Sequence, residues 1–311
     1  MPIPVIDFSK LDGEGRAKTM AQIANGCEEW GFFQLVNHGI PLELLARVKR
    51  VSSDFYKLER EENFIKNSPS VKQLKELVDK KNEDKLENND WEDVILLSDD
   101  NEWPTKTPGF KETMMAYREE LKKLAEKLME VMDENLGIPK GYIKKAFKGG
   151  EGDKAFFGTK VSHYPPCPHP EMVNGLRAHT DAGGIILLFQ DDEVEGLEIL
   201  KDGKWIDVQP IPNSIVINTG DQIEVLSNGK YKSVWHRVQA MPDRTRRSIA
   251  SFYNPSYNAT IEPAAQLVEK ENSDVNQSGY PKFVFSDYMS IYTEQKFLPK
   301  EPRFQAVRTV Y

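Results

Sequence analysis

Two histidines and one aspartate are the side chains of this sequence best suited, by type and spacing, to metal chemistry. His179 and Asp181 lie two residues apart in Arg-Ala-His-Thr-Asp, and His236 follows in Val-Trp-His-Arg-Val. Two imidazoles and one carboxylate are the ligand set of a mononuclear non-haem iron(II) site, which leaves part of the metal open to substrate and O₂. These residues therefore predict an iron-dependent oxygenase or oxidase.

The two-residue spacing indicates that the first two ligands lie on a β-strand. Alternate residues of a strand point to the same face about 6.6 Å apart, whereas on a helix they would diverge by about 200°. His236 must then come from a second strand that folding brings close. The alternative is a structural or surface role for each histidine, as we expect for His38, His163 and His169, which have no partner at ligand spacing.

The composition limits the classes of partner. The chain has 311 residues, enough for one large domain or two small ones, and 41 Lys and Arg against 49 Asp and Glu give a formal net charge of −8. An acidic chain without a basic cluster is unsuited to nucleic acid or to an anionic membrane surface. No apolar run approaches the ~20 residues of a membrane span, and the N-terminus lacks signal-peptide features. Two distant cysteines, Cys27 and Cys167, suit a reducing compartment, so we expect a cytoplasmic protein.

Hydrophobic periodicity divides the chain into a helical part and a strand-rich part. Residues 1–150 have mainly helical spacing, with the longest helix at 110–136, and the polar, lysine-rich residues 66–90 are expected to be mobile. From about residue 157 short apolar runs alternate with turn residues, a pattern typical of a double-sheet barrel or jelly roll. Residues 283–292 return to a helical pattern. We therefore predict an α+β fold with a double-stranded β-helix (jelly-roll) core flanked by helices.

These patterns predict three regions. Residues 1–150 are the helix-rich N-terminal region, residues 151–258 the iron-binding jelly-roll core, and residues 259–311 a helical tail that covers the site. Within the core, Asp202-Gly203 predicts a tight hairpin turn. A strand is expected from Tyr231 to Val238, carrying the second histidine ligand.

A second cluster follows the third ligand on what is expected to be another strand. Arg246 and Ser248 are two residues apart, so a guanidinium and a hydroxyl can face the same interior and clamp a carboxylate-sized anion. The alternative is a surface arginine paired with an acid, which apolar neighbours such as Phe252 disfavour. Lys160 and Arg177 add cations beside the ligand strands. In a chain of net charge −8, cations gathered around one pocket indicate an anionic substrate or co-substrate.

The ligand pattern and the anion clamp together resemble the iron(II)/2-oxoglutarate-dependent dioxygenase superfamily. Tyr164-Pro-Pro-Cys-Pro and Trp30-Gly-Phe-Phe-Gln-Leu-Val-Asn-His-Gly resemble its plant soluble branch. More narrowly, Phe157-Gly-Thr-Lys-Val-Ser, Gly175-Leu-Arg-Ala-His-Thr-Asp and Lys300-Glu-Pro-Arg-Phe resemble the 1-aminocyclopropane-1-carboxylate oxidases. The similarity covers nearly the full chain.

This resemblance implies an activity and a set of site residues. His179, Asp181 and His236 would hold Fe(II), and the family converts 1-aminocyclopropane-1-carboxylate, with O₂ and ascorbate, to ethylene, CO₂ and cyanide. It needs bicarbonate as activator and does not use 2-oxoglutarate, so Arg246 and Ser248 are left for bicarbonate or ascorbate. The resemblance also implies the following residues: Lys160, Arg177, Tyr164 and Thr159 in the pocket, and Lys296, Lys300 and Arg303 in the covering tail. The candidates for a direct part in catalysis are Lys160, Arg177, Arg246 and Ser248.

Two other functions stay open. The first is a 2-oxoglutarate-dependent hydroxylase or desaturase of a small plant metabolite, and Lys160 and Arg177 favour the oxidase over it. The second is a non-catalytic, metal-bound receptor or scaffold, which would have no use for open metal positions. His163 and Gln305 depart from the asparagine and glutamate usual in the oxidases, but neither belongs to the ligand set. The sequence leaves the oligomeric state open.

Overall fold

The computed structural model describes residues 2–82, 84–271 and 279–308 of the 311-residue chain. The helices are α1 Arg16–Asn25, α2 Leu42–Phe55, α3 Glu61–Asn67, α4 Pro69–Asp79, α5 Phe110–Leu136, α6 Tyr142–Lys148, α7 Asp221–Leu226, α8 Ala265–Glu271, α9 Phe285–Gln295 and α10 Lys300–Arg308. The strands are β1 Val5–Asp7, β2 Phe32–Val36, β3 Asp93–Leu97, β4 Phe156–Tyr164, β5 Asn174–His179, β6 Ile185–Gln190, β7 Leu197–Lys201, β8 Lys204–Asp207, β9 Ile215–Thr219, β10 His236–Gln239, β11 Arg246–Asn254, β12 Thr260–Ile261 and β13 Phe283–Val284.

Two facing sheets form the core. One has seven strands in the order β1-β2-β9-β6-β11-β4-β3, and the other has four in the order β5-β10-β7-β8. Strands that are distant in sequence lie side by side, such as β2 next to β9 and β4 next to β11, as in a jelly roll. The predicted α+β fold with a jelly-roll core flanked by helices is confirmed.

Hydrophobic side chains fill two separate spaces around the large sheet. The larger cluster lies on its outer face, where α2 and α5 pack against side chains such as Val161 and Phe189. A smaller cluster lies between the sheets and includes Phe32, Leu176 and Val238. Because side chains alternate along each strand, one sheet can serve both the helical layer and the interior.

The most regular sequence patterns gave correct elements. Helix α5 spans Phe110–Leu136 as predicted, and its end is marked by Gly137 at a positive φ of 68°. The hairpin between β7 and β8 turns at Asp202 and Gly203, whose φ angles of 50° and 75° fit the tight turn expected for Asp-Gly.

Two predicted segments differ from the structure. The segment 66–90 contains helix α4 and the side chains of Leu74 and Leu86, which are buried in one cluster with Trp91, so the prediction of a mobile, solvated stretch is wrong there. The strand predicted from Tyr231 is also wrong, since pairing begins only at His236. The backbone amides of Tyr231 and Ser233 donate instead to the side chains of Ser227 and Glu224.

The division at residues 150 and 258 stays a prediction. Strands β1 to β3 come from the first of the three regions but belong to the same sheet as strands of the second. Helices α9 and α10 of the third region lie against each other. No helix in the described part of the chain is both long and apolar enough to cross a membrane.

His163 lies on the outer face of β4, and its ring stacks on Tyr56 with a centroid distance of 4.2 Å. The side chain is buried, and burial lowers the pKa of His163 to about 3, with the positive charges of Arg247 and Arg60 acting in the same direction. The folded protein therefore keeps this imidazole neutral, in agreement with the structural role predicted for it.

Replacing His163 with asparagine tests this burial. Between the unfolded pKa of about 6.5 and the folded value of about 3, only the unfolded chain takes up the proton, so stability falls as the pH falls. The wild type should lose up to about 1.4 kcal/mol of unfolding free energy per pH unit more than His163→Asn in this window. Urea unfolding at several pH values measures the difference, with the exposed His169→Asn as control. A pH-independent difference would contradict the prediction.

Candidate metal centre

The pairing of β5 with β10 brings the two histidines together. His236 is the direct antiparallel partner of His179, and their ring centroids are 4.3 Å apart. β5 ends at His179, so Asp181 lies just beyond the strand and not on it as predicted. The loop after His179 nevertheless turns the carboxylate toward both rings.

The three ligand side chains converge on one point. His179 Nε2 lies 3.6 Å from Asp181 Oδ1, and His236 Nε2 lies 3.5 Å from Asp181 Oδ2. One ligand atom from each residue falls within 4.8 Å of the others, and all three residues are buried. Such a triangle of two nitrogens and one oxygen has the spacing needed to grip a single metal ion.

Backbone carbonyls fix which nitrogen of each histidine faces the centre. His179 Nδ1 donates to the carbonyl of Arg177 at 2.8 Å, and His236 Nδ1 donates to that of Val234 at 3.1 Å. Since Nδ1 carries the proton in both rings, each Nε2 presents its lone pair to the centre. Burial holds the pKa of His179 well below its usual range, with the charges of His236 and Lys296 adding to the effect. A neutral imidazole is the form that coordinates a metal.

Asn218 fixes the orientation of the Asp181 carboxylate. This residue of β9 is buried, and its Nδ2 donates to Asp181 Oδ2 at 2.8 Å. The bond occupies one carboxylate oxygen and leaves Oδ1 for a metal. Sequence reasoning missed Asn218, although a polar residue in the apolar run Ile-Val-Ile-Asn was a signal. The donor set and its outer hydrogen bonds fit Fe(II).

A cavity of about 240 Å³ opens beside the three ligands, between the two sheets. Its walls are largely apolar, with side chains such as Phe32, Ile186 and Phe252. The predicted site residues that line it are Lys160, Tyr164, His179, Asp181, His236, Arg246, Ser248 and Lys296. A small molecule in this cavity would therefore touch both the metal face and several cations.

Arg246 is a cation of this cavity whose hydrogen-bonding capacity is only partly used. It is 1% exposed, and its Nη2 donates to Gln190 Oε1 at 2.8 Å. Its Nε and Nη1 have no hydrogen-bond partner among the described residues, and burial lowers the pKa of its guanidinium. Buried N–H groups without a partner are costly, so the geometry fits an anionic ligand beside Ser248, which also lines the cavity.

Lys160 and Tyr164 share an acid that the sequence analysis did not identify. Lys160 Nζ lies 2.7 Å from Glu92 Oε1 and 2.8 Å from Oε2, and the Tyr164 hydroxyl donates to Oε1 at 2.5 Å. Burial raises the pKa of Glu92, but the charge of Lys160 and these hydrogen bonds outweigh it, so the net shift is downward. Lys160 thus faces the cavity as half of an ion pair. Glu92 gave no signal in the sequence because its partners lie about seventy residues away.

Two residues predicted for the pocket lie elsewhere. Within the described residues, the cavity lining includes neither Thr159 nor Arg177. Thr159 is on the opposite face of β4 from Lys160, and its hydroxyl lies 2.9 Å from Ser251 Oγ, so its assignment to the pocket is wrong. Arg177 pairs with Asp90 at 3.0 Å, and its guanidinium stacks 3.8 Å from the ring centroid of Phe297.

The three predicted tail cations have different surroundings. Lys296, at the end of α9, lines the cavity, and burial lowers its pKa, as does the charge of Lys160. Lys300 and Arg303, on α10, are outside the lining formed by the described residues. They form ion pairs with Glu224 and Asp221, respectively, and their part in the activity stays a prediction.

Glycines allow the loop after Asp181 to approach its neighbours closely. A Cβ on Gly183 would lie 1.7 Å from Asn254 Oδ1, and one on Gly220 would lie 2.4 Å from the carbonyl of Gly183. Any side chain at either position would collide with its surroundings. This part of the cavity wall therefore has a fixed backbone path.

Family models match both halves of the chain. Residues 156–255 match the 2OG-Fe(II) oxygenase superfamily. Residues 3–119 match the N-terminal region of a non-haem dioxygenase in morphine synthesis. Among solved structures, a crystal structure of JOX2 in complex with 2OG, Fe and JA is similar with a TM-score of 0.80 and 34% identity, over 99% of this chain and 89% of that one.

Curated relatives extend over the whole chain. A 1-aminocyclopropane-1-carboxylate oxidase 5 of Arabidopsis thaliana is 69% identical, and a 1-aminocyclopropane-1-carboxylate oxidase of Musa acuminata is 67% identical. Each alignment covers 100% of both chains. With the ligand triad in place, these identities confirm the resemblance seen in the sequence. The chain belongs to the 1-aminocyclopropane-1-carboxylate oxidase family, within the 2OG-Fe(II) oxygenase superfamily.

Proposed function

We propose that this protein oxidises 1-aminocyclopropane-1-carboxylate to ethylene, CO₂ and cyanide, with O₂ and ascorbate as co-substrates. The observation that carries the proposal is the His179, Asp181 and His236 face at the wall of a small cavity lined by cations. Relatives that are 69% and 67% identical over their full length carry the name of this oxidase. Bound Fe(II) supplies the redox chemistry that activates O₂.

In this scheme the protein's own residues bind the metal and orient the substrate. The two imidazoles and the carboxylate would hold Fe(II) at the wall of the cavity, where it would bind the amine and the carboxylate of an amino acid. Apolar walls such as Ile186 and Phe252 limit the water around it. The two electrons that a 2-oxoacid would otherwise supply come from ascorbate, so no 2-oxoglutarate site is needed.

We propose that the second anion of the reaction, bicarbonate or ascorbate, binds at Arg246 and Ser248. The Nε and Nη1 of Arg246, which have no partner among the described residues, are two donor nitrogens that can bind bicarbonate or ascorbate. Lys160 and Lys296 line the same cavity and add positive charge. We therefore propose that bicarbonate activates the enzyme at the part of the cavity lined by Arg246 and Ser248. Lys160, Arg246 and Ser248 would take a direct part in catalysis there. Arg177 is not among the described residues that line the cavity, and we propose that it contributes to catalysis through its stacking on Phe297.

The same proposal covers the surroundings of the enzyme. We infer a cytoplasmic protein that acts on a small amino acid and does not bind nucleic acid or a membrane surface. The net charge of −8 supports this. A cytoplasmic location also provides the reductant that keeps iron divalent.

An ethylene assay with each co-substrate omitted in turn tests the function. Purified protein with Fe(II), ascorbate and bicarbonate should release ethylene from 1-aminocyclopropane-1-carboxylate, and withholding 2-oxoglutarate should leave the rate unchanged. Gas chromatography of the headspace measures the product. Background ethylene together with conversion of 2-oxoglutarate to succinate would establish the hydroxylase or desaturase instead. A folded sample that binds iron but converts neither 1-aminocyclopropane-1-carboxylate nor 2-oxoglutarate would indicate the metal-bound receptor or scaffold.

Arg246→Lys tests the anion site while keeping the positive charge. Loss of the planar fork removes charge-assisted hydrogen bonds worth about 1.5–3 kcal/mol, so half-saturation by bicarbonate or ascorbate should require at least about tenfold more of it. Ethylene rates measured against the concentration of each reveal which anion is affected. Arg247→Lys is the matched control, because that neighbour pairs with Asp191 at 2.9 Å. Unchanged dependence on both anions would remove Arg246 from the proposal.

Asn218→Ala tests the support of the carboxylate ligand. Without its donor the Asp181 side chain is free to rotate, and the loss of such an outer hydrogen bond typically weakens metal binding about 10–100-fold. Titration with Co(II) under anaerobic conditions measures the dissociation constant. Asn258→Ala serves as control, because its amide donates to Asp153 at the surface. A constant equal to that of the wild type would show that Asn218 has no such role.

A further inference from the structure

Two pairs of buried charges connect helix α7 with helix α10. Asp221 and Glu224 are one turn apart on α7, and Lys300 and Arg303 are one turn apart on α10. Arg303 Nη1 lies 3.2 Å from Asp221 Oδ2, and Lys300 Nζ lies 2.6 Å from Glu224 Oε2. The side chains of Asp221 and Arg303 are 0% exposed, so this is not an ordinary surface contact. We call these four residues the α7–α10 clasp.

One half of the clasp holds the segment that carries His179 and Asp181. Arg303 Nη2 donates to Thr180 Oγ1 at 2.8 Å, and Thr180 lies between these two ligands in sequence. The Thr180 hydroxyl is also 3.3 Å from Asp221 Oδ2, and the Asp221 amide donates to the carbonyl of Asp181 at 2.8 Å. Asp221 and Arg303 therefore fix both the side chain of Thr180 and the backbone of the ligand loop.

The other half holds the segment that leads into His236. Lys300 Nζ donates to the carbonyl of Ser233 at 2.7 Å, and the Ser233 amide donates to Glu224 Oε2 at 2.6 Å. The next residue, Val234, provides the carbonyl that receives the Nδ1 proton of His236. The position of Ser233 thus sets the orientation of the second imidazole.

From these contacts we propose that Asp221 and Glu224 are positioning residues for the metal face. Neither belongs to the described lining of the cavity, so both act through the ligand segments. Each carboxylate joins a cation of α10 to one ligand-bearing segment. The clasp thereby sets the distance between the two histidines from outside the cavity. The inference rests on the metal site of the proposed function, and it explains why the two α10 cations point away from the cavity.

The competing explanation is that the clasp only attaches α10 to the rest of the fold. The affinity for metal distinguishes this attachment from a positioning role. Attachment alone would lower the unfolding temperature of a clasp variant and leave the metal dissociation constant of the folded protein unchanged. Positioning would weaken metal binding in protein that is still folded, by about 10–100-fold as for other outer contacts of metal ligands.

The experiment uses the full chain with Glu224→Gln, Lys300→Met and the double variant. Anaerobic Co(II) titration followed by visible absorption gives the dissociation constant and the coordination spectrum, and thermal unfolding gives stability. Each single variant should bind Co(II) at least about tenfold more weakly, with a changed spectrum, and the double variant should bind no more weakly than the weaker single one. Glu262→Gln, which breaks the exposed Glu262–Lys282 pair near the same tail, should bind as the wild type does.

Dissociation constants within twofold of the wild type in folded Glu224→Gln and Lys300→Met would overturn the clasp proposal and leave the proposed function intact. If Glu224→Gln does not fold, Lys300→Met and Arg303→Lys decide the question by the same criterion. A folded wild type that binds no Co(II) or Fe(II) would overturn the proposed function, and the clasp proposal with it.

Discussion

The antiparallel register of β5 and β10 is the constraint on which the rest of the site depends. It makes His179 and His236 direct cross-strand partners. A slip of one residue would turn one imidazole to the other face of the sheet, and no side-chain adjustment could restore the ligand pair. The other parts of the site adapt to this pair: a glycine-containing loop brings Asp181 back toward it, and β9 of the opposite sheet supplies Asn218. The metal face therefore depends on both sheets being correctly stacked.

The pairing of charges around the site decides where an anion can bind. Most of the cations that the sequence placed near the metal are matched by acids: Lys160 with Glu92, Arg177 with Asp90, Lys300 with Glu224 and Arg303 with Asp221. Arg246 instead has a neutral partner, Gln190, and keeps two N–H groups unbonded among the described residues. The total number of cations is therefore a poor guide to the anion site. The distribution of their buried partners favours Arg246.

The sequence predicted those features that depend on residue type and local period. The ligand set followed from three residues, α5 from its apolar spacing, and the β7–β8 turn from Asp-Gly. Alternation along β4 would also have excluded Thr159, because Lys160, Ser162 and Tyr164 share the other face. Partners such as Glu92 and Asn218 could not be predicted, since their positions depend on how distant strands meet. The misplaced strand start at Tyr231 has the same cause, because the acceptors for that segment come from around α7.

The close approach at Gly183 and Gly220 has a consequence for how related enzymes can diversify. A side chain at either position would overlap Asn254 or the Gly183 carbonyl, so substitution of either glycine requires its neighbours to move. A change in the size of the cavity is then expected at other lining residues, such as Ile186, Leu188 and Phe252. Substitution is thus sterically restricted at the two glycines, whereas that overlap places no restriction on the apolar lining residues.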